Sequence, residues 1–383
     1  MSRQLAVVGA AGAQAASMQD AIFRAIDPAH VTAIDVSWRA ARAEALSSKG
    51  VEVRTIDGTG KALADAIRGS QAVVNLAGPY HRLGTLVLDA AILAGANYLD
   101  ICDDVDVTRK ILGRHSEAVE AGVTAITGLG SSPGTTNMLV RIAADYLGEP
   151  AETTADISWV VDQSDLSTAV VEHILHCFAT IHDREPGPIP GWAELEPRWV
   201  DFPEPVGREL VVLLGHPEPL TLTRFLGLKA VTNRGGIAPV EYTQLCWLLA
   251  RARRLITQDD EPKTLGEGFD WFHSAFAKRL GRQGSGLVIQ VRRGGRTIAF
   301  RSGSSMTMDH ATGVPAAAGS LLLLEGRVPG PGVFPPECLD PVSFFGALRK
   351  VSPGGGGLSA TICAAGEEPA PIRIRDLLCV AGH

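Results

Sequence analysis

The sequence predicts an α/β protein whose first part is a doubly wound parallel sheet, followed by a second α+β domain with an open mixed or antiparallel sheet. Two observations support this prediction. Short apolar runs alternate with helical segments from residue 4 to residue 126, the pattern of parallel strands joined by helices. After Gly128 the pattern changes to longer strands with one polar face and a glycine hairpin, which is typical of antiparallel sheets.

Six apolar runs are the predicted strands of the parallel sheet. They span residues 4–8, 31–35, 51–56, 72–76, 98–102 and 123–126. The intervening segments with helical spacing are 13–26, 39–48, 61–68, 83–94 and 107–121. Because parallel strands all end at one edge of their sheet, polar residues that follow these strands are expected to meet there.

The second part is predicted to contain fewer, longer elements. Helices are expected at 135–147, 168–181, 315–324 and 342–350, a strand at 154–161, a hairpin at 285–301 that turns at Gly294 and Gly295, and a proline/glycine loop at 329–336. We place the first domain at 1–130 and the second at 131–325. The C-terminal segment 326–383 is expected to pack back on the first domain.

Composition excludes several classes of protein. Hydrophobic residues make up 45% and charged residues 20% of the 383 residues, a balance that indicates a globular and not a disordered chain. With 42 acidic against 35 basic residues and no basic stripe, neither nucleic acid nor a membrane surface is an expected partner. No apolar stretch is long enough for a membrane span. The six cysteines are scattered, so we expect a cytoplasmic protein with reduced thiols and no metal site.

The strongest local pattern is the glycine-rich turn from Gly9 to Ala15, which follows a predicted strand and opens a predicted helix. Gly9 permits a tight turn, and Gly12 lets a diphosphate approach the helix N-terminus. The spacing G-x-x-G-x-x-A departs from G-x-G-x-x-G, and a plain tight turn is the alternative interpretation. We interpret the segment as the diphosphate-binding turn of a Rossmann domain. Its expected cofactor contacts are Gly9, Gly12, Ala13 and Gln14.

Charged residues at the next strand ends bear on the choice of cofactor. Asp35 ends the second predicted strand, 20 residues after Ala15, where a carboxylate binds the adenosine ribose hydroxyls. This slightly favours NAD, because the 2′-phosphate of NADP would be repelled. Arg39 lies just beyond and is an alternative partner for that phosphate, so both cofactors stay open. Asp57, after the third strand, is expected to border the adenine site.

Small and polar residues follow the fourth and fifth strands. We expect the nicotinamide riboside to lie against a turn formed by Asn75, Ala77, Gly78 and Pro79, since ligands of open α/β sheets bind beyond the strand ends. Tyr80 and His81 are expected to face a substrate. Asp103 and Asp104 are a candidate pair for proton transfer or for binding an ammonium group, although carboxylates near a helix start are also common N-caps.

The second domain offers further candidates. His216 is a candidate proton carrier, because histidine is the residue type most often used for proton transfer, and Glu218 is a candidate ligand for an amine. His173, on a predicted helix, is expected to line the substrate site, and Arg234 is a candidate clamp for a substrate carboxylate. Each of these side chains has an ordinary structural explanation as well.

Several segments together resemble one family, the saccharopine dehydrogenase-like reductases, and within it the lysine 6-dehydrogenase and carboxynorspermidine dehydrogenase branch. The matching segments are residues 74–80, 96–104, 128–137, 215–219, 310–313 and 332–337. The resemblance implies a Rossmann domain, an α/β domain that covers the nicotinamide, and a homodimer. It also implies oxidation of a carbon–nitrogen bond in an amino acid or amine, or the reverse reduction of an imine. Three departures are Ala15 in place of a third glycine, the absence of a glycine in 165–169, and an unmatched tail after Lys350.

Two alternatives remain open. One is a reductive condensation of two substrates, of the carboxynorspermidine or opine type. The other is a protein that senses a dinucleotide without catalysis. The sensor would keep the Gly9–Ala15 turn but would not need Asp103 and Asp104.

Overall fold

The computed structural model divides the chain into two compact units. The first comprises Met1–Met138 and Asp309–Gly354, and the second comprises Leu139–Met308 and Gly355–His383. The residues described are 4–56, 60–162, 173–174, 176–178, 196–252, 271–275, 284–352, 354 and 357–381. The limits of these units differ from the predicted domain limits at 325 and 326–383. The first unit already resumes at residue 309, and the chain after residue 354 belongs to the second unit instead of packing back on the first.

The first unit is built on a seven-stranded parallel sheet. Its strands are β1 (Leu5–Val8), β2 (Val31–Asp35), β3 (Glu52–Thr55), β4 (Ala72–Asn75), β5 (Asn97–Asp100), β6 (Thr124–Ile126) and β13 (Gly332–Phe334). They lie in the order β13-β6-β5-β4-β1-β2-β3, and each pairing is parallel. The predicted doubly wound sheet is confirmed. The prediction of a loop at 329–336 is wrong in part, because residues 332–334 pair with β6 despite their proline and glycine neighbours.

Helices connect these strands. They are α1 (Ala13–Ile22), α2 (Ala40–Ser47), α3 (Gly60–Ile67), α4 (Tyr80–Leu83), α5 (Leu86–Ala94), α6 (Val105–Leu112) and α7 (His115–Glu120). The single helix predicted over 107–121 is two helices, because α6 ends at Gly113. Further along the chain, α8 (Thr135–Leu147) follows the Gly128 turn, and α11 (Met308–Glu325) and α12 (Pro341–Val351) return to the first unit.

Helix α11 is the core helix of the first unit. Every residue from Gly313 to Leu324 is buried, which explains why this segment lacks an amphipathic pattern. A side chain at Gly313 would lie 2.7 Å from both the Gln14 carbonyl and the Met18 amide nitrogen. The helix therefore packs directly on the first turns of α1, the helix that follows the glycine-rich turn.

The second unit contains a mixed eight-stranded sheet. Its strands are β7 (Thr154–Asp162), β8 (Arg198–Asp201), β9 (Arg208–Leu213), β10 (Ala230–Ala238), β11 (Ser285–Arg293), β12 (Arg296–Ser304), β14 (Ser359–Cys363) and β15 (Ala370–Pro371). They lie in the order β15-β14-β12-β11-β7-β10-β9-β8, and only β7 and β10 pair in parallel. The predicted hairpin is confirmed, with Gly294 and Gly295 at φ angles of 52° and 80°, as a two-residue turn of this type requires.

The sheet of the second unit has two differently covered faces. On one face Val212, Leu214 and Ile237 pack with α10 (Val240–Ala252), and on the other Val160 and Val211 pack with Phe202 and Val206. Helix α9 (Glu218–Leu226) precedes β10, and α13 (Ile374–Ala381) ends the described chain. The predicted helix 168–181 lies mostly outside the described residues, of which 173–174 and 176–178 are helical. No helix among the described residues has the length and apolar character that crossing a bilayer requires.

Candidate functional site

The glycine-rich turn joins the ends of β1 and β4. Gly9 has a φ of +77°, and a side chain there would come within 2.5 Å of the Ala77 backbone nitrogen. Only glycine meets both conditions, because other residues avoid this φ and no space exists for a Cβ atom. The Gly12 amide donates to the Gly9 carbonyl at 3.2 Å, which closes the turn and starts α1.

The N-terminus of α1 fits a diphosphate. Its N-cap is Gly12, no side chain caps it, and its first turn holds no acidic residue. No acidic side chain of this first turn offsets the positive end of the helix dipole, which suits an anionic ligand. Gly12, Ala13 and Gln14 form this helix start, and their contact with the diphosphate of a dinucleotide stays a prediction.

Asp35 lies at the end of β2 beside this turn. Its Oδ2 accepts the Ala11 amide at 2.9 Å and its Oδ1 accepts the Val36 amide at 2.7 Å. A carboxylate has further lone pairs, so ribose hydroxyls can still bind. Arg39 is exposed and forms no ion pair with the described part of the chain. Asp57 lies outside the described residues.

The turn after β4 is fixed by two buried side chains. Asn75 accepts the Ala77 amide at 3.1 Å and donates to the Tyr98 hydroxyl at 3.1 Å. The Tyr80 hydroxyl donates to the Asn75 carbonyl at 2.7 Å and accepts the Ile101 amide at 3.3 Å. Tyr80 is therefore used to join the ends of β4 and β5, and its hydroxyl is directed into the unit instead of toward a ligand. Gly78 and Pro79 complete the turn.

His81 and Asp104 lie close together at this edge. His81 Nδ1 is 3.9 Å from Asp104 Oδ2, and the side chain of Asp104 is 0% exposed whereas that of His81 is 18% exposed. Asp104 is the N-cap of α6 without a side-chain capping bond, so capping does not explain its burial. An imidazole and a carboxylate at this distance can transfer a proton through a small movement or one water. Asp103, the preceding residue, is half-buried.

Asp100, the last residue of β5, is not among the site residues predicted from the sequence. This carboxyl group is fully buried, and its Oδ1 accepts hydrogen bonds from the Cys102 amide (3.0 Å), the Thr127 hydroxyl (3.0 Å) and the Gly128 amide (2.7 Å). Burial raises its pKa to about 6 despite these bonds. An acidic residue that ends an otherwise apolar strand was the available signal in the sequence.

In the second unit, two predicted site residues contact each other. His216 Nδ1 lies 3.1 Å from Glu218 Oε2, and both side chains are buried. The His216 ring packs against Trp159, with ring centroids 5.1 Å apart, and Trp159 Nε1 donates to Asn233 Oδ1 at 2.8 Å. Glu218 is the first residue of α9, where a helix dipole favours a carboxylate. Glu218 therefore orients His216, and its carboxylate is engaged within the unit.

The other two candidates also have partners in the second unit. Arg234 on β10 is buried and donates to Asp156 at 2.8 Å and to Glu196 at 2.9 Å. Its guanidinium group is thus engaged inside the unit, where a substrate carboxylate would have to compete with two carboxylates. His173 Nε2 lies 3.4 Å from the Cys177 sulfur.

Comparison with known proteins gives a family match for residues 5–126 and a fold for most of the chain. Residues 5–126 match the family model of the saccharopine dehydrogenase NADP binding domain. The chain is similar to the apo histidine-tagged saccharopine dehydrogenase (L-Glu forming) from Saccharomyces cerevisiae, with 14% identity, a TM-score of 0.62, and coverage of 94% of this chain and 100% of that chain. It is also similar to a homospermidine synthase from Legionella pneumophila in complex with NAD, with 12% identity, a TM-score of 0.62, and coverage of 94% and 91%.

At these identities the two structures show a common fold, and the family model covers the first unit's dinucleotide-binding part. The turn at Gly9 and the strand order agree with that assignment. The predicted resemblance is confirmed at this level: residues 5–126 match the saccharopine dehydrogenase NADP binding domain, and the chain shares the fold of the two solved structures.

Proposed function

We propose that the protein is an NAD(P)-dependent dehydrogenase that oxidises a carbon–nitrogen bond of an amino acid or amine to an imine, or reduces that imine. The main support is the His81–Asp104 pair at the ends of β4 and β5, in the same unit as the dinucleotide turn. Removing a hydride from a carbon that bears nitrogen leaves a positive charge, and the nitrogen must lose a proton if it began as an ammonium group.

The overall change is balanced as follows. A protonated amine and the oxidised dinucleotide give an iminium ion, the reduced dinucleotide and one proton. When bound, the nicotinamide supplies the hydride acceptor. His81, which is partly exposed, accepts the proton from the ammonium nitrogen and releases it to solvent, and the buried carboxylate of Asp104 stabilises the imidazolium in between. In the reverse direction the same two groups return a proton to the nitrogen.

The names of the structural neighbours agree with amine chemistry. One is a saccharopine dehydrogenase that forms L-glutamate, and the other is a homospermidine synthase bound to NAD. Applying this chemistry to the present chain is part of the proposal. His216, oriented by Glu218, is a second candidate proton carrier. The homodimer implied by the resemblance stays a prediction, which light scattering would test.

Absorbance at 340 nm tests the proposal. Amino acids, L-lysine first, and polyamines are offered with NAD⁺ and with NADP⁺, and an amine-dependent rise is expected. Asp104→Asn should lower kcat by about 100-fold or more, since general acid–base groups contribute factors of this order. Asp106→Asn, in the first turn of α6, is the matched control and should keep at least half of the rate.

Other outcomes distinguish the alternatives. Oxidation of NADPH or NADH only when an amine and a carbonyl compound are both present would establish reductive condensation. The absence of turnover with every substrate, together with unchanged NADH affinity in an Asp103→Asn/Asp104→Asn variant, would support a dinucleotide sensor and contradict the proposal.

A further inference from the structure

The buried carboxyl group of Asp100 connects two loops at the edge of the sheet in the first unit, the loop after β5 and the loop after β6. Its Oδ1 accepts hydrogen bonds from Cys102, Thr127 and Gly128. Cys102 immediately precedes Asp103 and Asp104, and Gly128 begins the turn after β6. Oδ1 of Asp100 therefore fixes the position of the segment after β5 relative to the Gly128 turn.

A second set of bonds extends from this centre to the end of β4. The Tyr98 hydroxyl neighbours the Asp100 carboxyl group and accepts a hydrogen bond from Asn75. The Tyr80 hydroxyl then joins the Asn75 carbonyl to the Ile101 amide. In a sheet with this strand order, the ends of β4 and β5 serve the nicotinamide half of the dinucleotide, whereas β1 and β2 serve the adenosine half.

A carboxylate is an unfavourable choice if only folding matters. Asp100 is fully buried, and it forms no ion pair with a cation within the described part of the chain. Burial raises the pKa of Asp100 to about 6, which means that the ionised form is less stable in the folded protein than in water. A buried charge that disfavours folding at neutral pH points to a role beyond packing.

We propose that Asp100 is a positioning residue: through Oδ1 it holds the loop of Asp103 and Asp104 so that the nicotinamide half of the dinucleotide binds in one orientation. The inference rests on the proposed function in one respect: a nicotinamide dinucleotide must bind at the ends of β4 and β5. Asp100 acts through the loop and need not touch the substrate.

The test compares two probes, NADH and ADP-ribose, because ADP-ribose lacks the nicotinamide. In Asp100→Ala we expect NADH affinity to fall about tenfold, the effect of losing strong hydrogen bonds, while ADP-ribose affinity changes less than about twofold. Asp100→Asn keeps an acceptor at Oδ1 and should retain NADH affinity within about threefold. This rescue separates positioning through hydrogen bonds from a need for the negative charge.

A milder pair of variants covers the case in which Asp100→Ala does not fold. Thr127→Val removes one of the three donors and should weaken NADH binding by about threefold. Thr108→Val is the matched control, because this buried threonine contacts the Cys102 sulfur at 3.8 Å and not Asp100, and it should leave NADH affinity unchanged.

Two results would overturn the inference. Equal weakening of NADH and ADP-ribose in Asp100→Ala, or in Thr127→Val if the former is unfolded, would assign Asp100 to general folding. Loss in Asp100→Asn as large as in Asp100→Ala would show that the acceptor at Oδ1 is not what matters. Failure of amine-dependent turnover in the wild type would contradict the proposed function but leave this binding test valid.

Discussion

The polar side chains of the two units differ in what they are bonded to. In the first unit, Asp35 and Asp100 are held largely by backbone amides. In the second, Arg234 lies between two carboxylates and His216 beside Glu218. Asp35 keeps spare lone pairs for a ligand, and Asp100 fixes a loop beside the expected ligand site, whereas each ion pair of the second unit uses the charges of both its members. Substitutions in the first unit should therefore change binding, and those in the second should mainly change folding stability.

The largest effect is expected at Gly9. Gly9→Ala places a Cβ atom 2.5 Å from the Ala77 backbone nitrogen at a φ of +77°, so backbone strain and overlap add. We expect a loss of roughly 4 kcal/mol in the free energy of unfolding and no detectable NADH binding. Urea unfolding measures the free energy of unfolding, and fluorescence titration measures NADH binding. Gly346→Ala, in α12 with nothing within 4 Å, is the control and should be neutral or stabilising by up to about 1 kcal/mol.

Arg234 provides the corresponding test in the second unit. Arg234→Met removes the cation from a buried pair and should lower the free energy of unfolding by about 3 kcal/mol, with unchanged NADH affinity. Arg224→Met, at an exposed position on α9, is the control and should change the free energy of unfolding by less than about 0.5 kcal/mol. Unchanged stability with a lower kcat/KM for the substrate would instead show that Arg234 clamps a substrate carboxylate.

The pH dependence of stability isolates the charge on Asp100. Its pKa is about 6 in the folded protein, against an ordinary value of 3.8. Between these values the folded state binds the proton more strongly, so this group's stabilising effect is present below pH 4 and is lost as the pH rises through 6. The loss is about 3 kcal/mol. Between pH 4 and pH 8, the free energy of unfolding of Asp100→Asn should rise relative to that of the wild type by about 2.5 kcal/mol, as measured by urea unfolding. A constant difference would contradict the assignment.

Sequence patterns predicted the parallel sheet well because each strand was marked by an apolar run and a turn. They did not predict β13, since its three residues gain their strand geometry only from pairing with β6. At the site, His81 and Asp104 were each predicted as candidates, but their 3.9 Å separation depends on the adjacency of β4 and β5.

Side-chain direction could not be predicted from the sequence in the same way. Tyr80 follows a strand end and was expected to face a substrate, yet its hydroxyl bonds to Asn75 and Ile101. The acceptors of Arg234 lie on β7 and at Glu196, which no local pattern connects to β10. Asp100 was not predicted because its unusual feature is a fully buried carboxyl group, and burial cannot be read from residue spacing.

The smallest expected effect concerns the choice between NAD and NADP, for which we propose NAD. Asp35 ends β2, where the sheet's usual mode of dinucleotide binding would bring its negative charge near the 2′-phosphate of NADP. Asp35→Asn removes that charge but keeps an acceptor for the Ala11 or Val36 amide. The ratio of the NADP⁺ to the NAD⁺ dissociation constant should therefore fall by about tenfold, close to 1.4 kcal/mol. Arg39→Ala in the same background should raise the ratio again if the exposed guanidinium contacts the phosphate. An unchanged ratio in Asp35→Asn would mean that Asp35 only stabilises the glycine-rich turn, and that cofactor choice is determined elsewhere.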